Sequence, residues 1–284
     1  MYRVTHWMAI TLVCLFSMGA VFGAENTTGT QPAKAKTVAA ETKTQPKQEY
    51  LPPLPPGKKW KLIWSDEFDG EKIDESKWEI FGAKGDVKRR DGFWVKDDAY
   101  LDGKGHLILR TKKDGDRFTC GAVRTKGKFE HAFGYWVARC KFPTQPGHWP
   151  AFWLMCAGVS KVGNGGADGT EIDIMEKPWL EDRITINLHW DGYGKDHKTY
   201  GSKFEIPGVS QGFHTFGLSW TRTEYVFDVD GNVKWATSPP GGTSQVPEYA
   251  KLTEEIGTWA GDIRKANLPD YFEVDYVRVY DIAE

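Results

Sequence analysis

The sequence predicts an all-β fold, a two-sheet sandwich of jelly-roll type. Three observations predict it. Short segments alternate apolar and polar residues with the two-residue period of half-buried strands, as at 106–110, 135–142, 183–190, 225–229 and 272–280. Turn dipeptides separate such segments, among them Asp102-Gly103, Asp114-Gly115 and Asp230-Gly231. Aromatic residues are abundant: the 284 residues include 13 Trp, 11 Tyr and 15 Phe, and every Trp except Trp7 lies between Trp60 and Trp259. Helical periodicity is scarce, with 248–256 the one stretch compatible with a short helix, and no internal repeat is present.

From the N-terminus, Arg3 precedes an apolar run, Met8 to Phe16, and small residues follow, so that Gly23-Ala24 is a plausible cleavage point. This is the pattern of a secretory signal peptide over 1–23, too short for a comfortable membrane span. It implies a secreted or periplasmic protein without stable membrane insertion. Residues 24–57 are rich in Thr, Lys, Ala, Gln and Pro and poor in large apolar side chains. Such a stretch cannot bury enough surface to fold, and its terminal prolines stiffen it, so it reads as a linker. The folded domain is then 58–284.

A formal net charge of −2 leaves no basic footprint for nucleic acid, and nothing in the sequence calls for more than a monomer. Beyond the leader three cysteines remain, Cys120, Cys140 and Cys156. Cys120 and Cys140 lie on strand-like runs flanking a connection near Glu130. They form either a disulfide or a pair of buried thiols.

The most informative stretch is Glu171-Ile172-Asp173-Ile174-Met175-Glu176. In a strand, Glu171 and Asp173 share one face and the two isoleucines the other. Strict alternation would bury Glu176 among the isoleucines at high cost. A β-bulge near Met175 returns it to the acidic face. Three carboxylates so close cannot all ionise cheaply, so at least one proton is held to higher pH. That suits a carboxylate nucleophile beside a protonated general acid, the pair that retaining glycosidases require. Calcium ligation and a solvated acidic face are the competing readings. Alternating isoleucines argue against a calcium loop, and Trp-rich strands on both sides argue against simple solvation.

Glu171, Asp173 and Glu176 match the E-x-D-x-x-E signature of glycoside hydrolase family 16, and the resemblance extends over most of residues 60–284. Trp64 to Phe68 resembles the family's opening strand. Residues 121–125 and 133–139 resemble its middle strands, Gly147 to Trp153 its cleft motif, and Asp275 to Tyr280 its closing strand. The resemblance implies a β-jelly roll with a concave substrate cleft. It also implies endo-acting, retaining cleavage of a β-linked polysaccharide, with Glu171 as nucleophile, Glu176 as acid/base and Asp173 between them. No cofactor is needed for that chemistry.

The same resemblance places further residues. Trp149 and Trp153, four apart in one strand-like run, would be platforms for sugar rings, with Trp94 and Trp190 as weaker candidates. Asn187 and His189, on the outward side of the following strand, would reach toward the carboxylates, and Arg124 would donate to sugar hydroxyls. A structural calcium on the opposite face would involve Glu67, Gly105 and Asp275. The segments 163–170, 177–179 and 189–197 depart from common glucanase wording and leave the substrate open. A β-1,3- or β-1,3-1,4-glucan is the first expectation. The alternative enzyme is an endo-β-galactanase acting on agar, porphyran, carrageenan or mucin-type chains, with Lys195, Lys198 and Lys203 as candidate partners for sulfate. A non-catalytic glycan-binding jelly roll is disfavoured by the joint presence of Glu171 and Glu176. A transglycosylase would share the same residues.

Overall fold

The computed structural model describes residues 50–283. The signal-peptide reading and the linker up to residue 49 lie outside the described residues. Within them the protein is two stacked sheets, antiparallel except where Gly92–Trp94 runs parallel to Arg117–Cys120, with short 3-10 turns and no longer helix. No helix among the described residues is long and apolar enough to cross a membrane.

The first sheet has seven strands in the spatial order Lys198–Glu205, Arg183–Trp190, Glu171–Glu176, His148–Met155, Tyr249–Ile256, Ala122–Arg124 and Glu79–Ile80. The second has eleven. Its centre is Gly134–Lys141, flanked by His214–Trp220 and by the long closing strand Asp270–Ala283, which also pairs with the opening strand Lys59–Asp66. Alternation sends one side chain of each pair inward. Phe152, Leu154, Ile172, Ile184, Ile186, Leu188 and Leu252 of the first sheet meet Trp136, Ala138, Phe216, Leu218, Phe272 and Val277 of the second in one continuous core. The outward residues of the seven-stranded sheet are thereby fixed as the floor of a cleft.

Two sequence expectations resolve here. Residues 248–256 are no helix: Tyr249–Ile256 is a central strand with all eight residues buried. Lys251, Thr253 and Glu255 alternate on the cleft side, while Ala250 and Leu252 face the core. Glu254 obscured this pattern; it is buried too, bonded to His148 Nδ1 at 3.0 Å. Cys120, Cys140 and Cys156 are all free and buried. Cys120 pairs across strands with Thr111 and Trp94, and Cys140 with His214 and Val274, so the two do not face each other.

Candidate active site

The bulge sits where the acidic strand needs it. On one side Phe152 faces Met175 and Trp153 faces Asp173; on the other Asn187 faces Asp173 and Thr185 faces Glu176. Ile174 and Met175 together therefore oppose Ile186 alone, and both point into the core, 2% and 0% exposed. The extra residue returns Glu176 to the cleft side with Glu171 and Asp173, and all three carboxylates line one cavity.

Each carboxylate has a distinct environment. Glu176 is 7% exposed and accepts two hydrogen bonds, from Trp149 Nε1 to Oε1 and from Asn187 Nδ2 to Oε2, both 2.7 Å. Burial first, then the charge of Asp173, pushes its carboxyl up to about 8, against the opposing pull of those two donors. Asp173 is buried and held well above the ordinary carboxylate range by burial and by the neighbouring Glu171. His189 Nε2 lies 3.4 Å from Asp173 Oδ2, and its Nδ1 meets His197 Nε2 at 2.9 Å. Glu171 is half-buried and accepts a hydrogen bond from the hydroxyl of Tyr193. Its carboxylate would otherwise be the most open of the three.

Two glycines make this packing possible. A Cβ at Gly201 would lie 2.2 Å from Asn187 Oδ1, so only glycine lets the neighbouring strand approach the amide that holds Glu176. Gly169, at φ +144, leads into the acidic strand, and a Cβ there would meet Cys156 Sγ at 2.4 Å.

Trp149 and Trp153, the expected sugar platforms, line the cavity that holds the three carboxylates. Trp149 is partly exposed: its Nε1 holds Glu176, the Arg90 guanidinium lies 4.2 Å from its ring centroid, and Trp259 packs edge-on at 4.6 Å. Trp153 is 7% exposed, donates to Thr253 Oγ1 at 3.0 Å, and carries the Lys251 ammonium on its face at 3.5 Å. Trp94 and Trp190 are buried. Trp259 and Tyr193 add exposed aromatic surface beside the carboxylates. Trp179 packs edge-on against Trp259, with Arg183 and Lys203 over its ring.

Arg124 shares the cleft face but not the carboxylates. It is separated from Asp173 by Lys251 and Trp153 in the cross-strand row, and both its Nε and Nη2 bond Glu79, at 2.8 and 3.0 Å. The residues anticipated for a structural calcium lie away from the acidic cluster, and two of them have arginine partners. Glu67 receives two hydrogen bonds from Arg278, and Asp275 one from Arg139 at 2.7 Å. Among the described residues, the group of three carboxylate or imidazole donors close enough to share an ion is Glu171, Asp173 and His189, within the acidic cluster itself.

Residues that sequence reasoning missed include Tyr193 and His197, within the segment 189–197 that departs from common glucanase wording, and Arg89, Arg90 and Lys251. Arg89 and Arg90 both donate through Nε to Glu255, at 2.7 and 2.8 Å. The adjacent arginines, and the Lys-x-Thr-x-Glu alternation at 251–255, were the available signals.

A two-sheet β-sandwich with three carboxylates aligned in a cleft on one outer face defines a glycoside hydrolase. The sequence profile described as Glycosyl hydrolases family 16 matches residues 88–278, about two thirds of the chain, and the chain belongs to that family. It is 29% identical over 237 residues to the keratan-sulfate endo-1,4-beta-galactosidase of Sphingobacterium multivorum, covering 78% of this chain and 56% of that enzyme. It is 28% identical over 244 residues to the beta-glucanase of Rhodothermus marinus, covering 78% and 85%. The crystal structure of a laminarinase from Flavobacterium sp. UMI-01 superposes with a TM-score of 0.65 at 27% identity, covering 78% of this chain and all of that one.

Proposed function

We propose that the protein is a retaining, endo-acting β-glycosidase working by double displacement. The observation that carries this reading is the unequal state of the carboxylates. Glu176 is held protonated near neutral pH by burial, while Glu171 sits more open on the same face. Protonated Glu176 gives its proton to the departing glycosidic oxygen. Glu171 attacks the anomeric carbon through an oxocarbenium-like transition state and forms a glycosyl-enzyme. Glu176, now a carboxylate stabilised by Trp149 and Asn187, takes a proton from the water that releases the sugar. Asp173 lies between them and raises Glu176 by its charge. The His197–His189–Asp173 chain orients that middle carboxyl.

The polysaccharide expected from the sequence is a β-1,3- or β-1,3-1,4-glucan, and the glucanase relatives support it. A galactan-type substrate has an observation of its own: the cation-rich wall of Arg89, Arg90 and Lys251 beside Glu171, together with likeness to a keratan-sulfate galactosidase. Action outside the cytoplasm, as a monomer reached by diffusing polysaccharide, completes the reading; the apolar leader supports its first part. The test is oligosaccharide release from laminarin, lichenan, agarose, porphyran, carrageenan and mucin glycans by wild type and Glu171→Gln. Cleavage of at least one, lost in the variant, is expected. Turnover that survives in Glu171→Gln overturns the assignment of roles, and binding without any cleavage moves the protein to the glycan-binding class.

A further inference from the structure

We propose that Tyr193 is a positioning residue for Glu171 whose hydroxyl serves chiefly the second half of the reaction, in which the glycosyl-enzyme is broken. The inference rests on the glycosidase reading above and adds a residue to it.

Tyr193 lies in the loop between the strands Arg183–Trp190 and Lys198–Glu205. The residue is 53% exposed, yet its hydroxyl turns inward, donates to Glu171 Oε2 and lies 3.6 Å from Met155 Sδ. Among the described residues it is the one hydrogen-bond donor to the Glu171 carboxylate, whereas Glu176 has two. The backbone fixes the loop. Asp191 and Gly192 both adopt left-handed φ, +59 and +76. The Gly192 amide donates to the Val159 carbonyl at 2.7 Å, and Asp191 Oδ1 accepts from the Gly163 amide at 3.0 Å. The Tyr193 ring packs on His197, 5.7 Å between centroids, and His197 stacks on His189. Two cavities, of about 300 and 330 Å³, flank Glu171, and Tyr193 lines both. A sugar chain crossing from one to the other passes the Tyr193–Glu171 pair.

A donor on one carboxylate oxygen acts differently on the two chemical steps. With Tyr193 on Oε2, Oε1 is left for the attack on the anomeric carbon. The free enzyme carries the full carboxylate charge, which the hydroxyl stabilises; attack disperses that charge, so the bond gives the first step no help. In the glycosyl-enzyme Oε1 is esterified and Oε2 is a neutral carbonyl oxygen. When water attacks, the bond between the anomeric carbon and Oε1 breaks. Its electron pair returns to the carboxylate, and the water's proton passes to Glu176. Negative charge then grows on Oε2, where the hydroxyl is already placed. Burial and the charge of Glu171 hold the phenol's own proton far above its ordinary range, so it stays a donor throughout. Tyr193 therefore speeds release of the sugar more than attack on it.

The experiment uses the full chain and Tyr193→Phe, which keeps the ring and removes the hydroxyl. The probe is 2,4-dinitrophenyl β-laminaribioside. Where the wild type releases galactose-ended products from the polysaccharide panel, it is the 2,4-dinitrophenyl β-glycoside of N-acetylglucosaminyl-β-1,3-galactose. Neither leaving group needs a proton. In Tyr193→Phe, kcat should fall about tenfold or more and KM with it, so that kcat/KM stays within about threefold. Mass spectrometry of acid-quenched enzyme should show more of the variant than of the wild type carrying the sugar on Glu171. A merely structural role would lower kcat/KM as far as kcat, a simple sugar platform would leave the kinetics unchanged, and a plug over the nucleophile would raise kcat on removal. Any of these three results overturns the proposal. The two readings fail separately: such a result alongside an inactive Glu171→Gln sinks the role of Tyr193 alone, whereas turnover by Glu171→Gln sinks the catalytic roles.

Discussion

Trp149 and Glu176 are joined by a 2.7 Å hydrogen bond from the indole Nε1 to the carboxylate Oε1. An aromatic residue on the wall of the cleft is thereby tied to the proposed acid. The bond stabilises the ionised carboxylate, and Asn187 does the same at the other oxygen, so both donors tune the group that must release and then recover a proton.

Catalysis should fail without either end of the carboxylate row, in different ways. Glu171→Gln should lose turnover of every substrate while retaining oligosaccharide affinity, because it changes charge but not shape. Glu176→Ala should slow polysaccharide cleavage by roughly 10²–10⁴-fold yet retain formation of the glycosyl-enzyme from an aryl glycoside whose leaving group needs no proton. Burst kinetics on that aryl glycoside would show it; an equal loss on both substrates would count against Glu176 as the acid.

The alkaline side of the rate profile should follow Glu176. Activity should decline as pH rises through about 8, where the carboxyl loses its proton. Asn187→Ala removes a donor that favours the ionised form, so the alkaline limb should move to higher pH. Measurement of kcat/KM against pH for both proteins decides this, since a merely structural loss would lower the curve without displacing it.

Stability should carry the same signature. Glu176 titrates in the folded state at about 8 against an ordinary value of 4.5, so its protonated form favours folding. That contribution is complete below the unfolded value and is lost as pH rises through the folded one. Melting temperatures of wild type and Glu176→Gln, followed from about pH 6 to about pH 9, should show the wild type falling more steeply. Parallel curves would contradict the burial argument.

Gly169→Ala should destabilise the protein by about 1–3 kcal/mol and reduce activity, because its Cβ would press on Cys156 Sγ and the Val159 amide at the entry to the acidic strand. Urea unfolding and residual activity together test this. Gly163→Ala lies outside any such contact and serves as the comparison, subject only to its own positive φ.

Much of this was legible in the sequence, for identifiable reasons. The β class followed from two-residue alternation, and the bulge from the cost of burying Glu176 among isoleucines. Asn187 was found because its strand alternates cleanly next to the acidic one. The strand Tyr249–Ile256 was not, because an inward Glu254 broke its pattern, and Lys251 was missed with it. Trp149 and Trp153 share the cleft face with the carboxylates, as their spacing implied, but spacing says nothing of their hydrogen-bond and cation partners. Arg124 shows the same limit: its partner Glu79 lies far away in the chain.

The bulge also determines where the chain tolerates a change in length. Removing Met175 would leave Glu-Ile-Asp-Ile-Glu, in which plain alternation keeps every carboxylate outward at the loss of one core side chain. Removing Ile172 would instead invert Glu171 relative to the rest. In this strand, therefore, an insertion or deletion is survivable at one position and ruinous two or three residues away, and that position lies between Asp173 and Glu176.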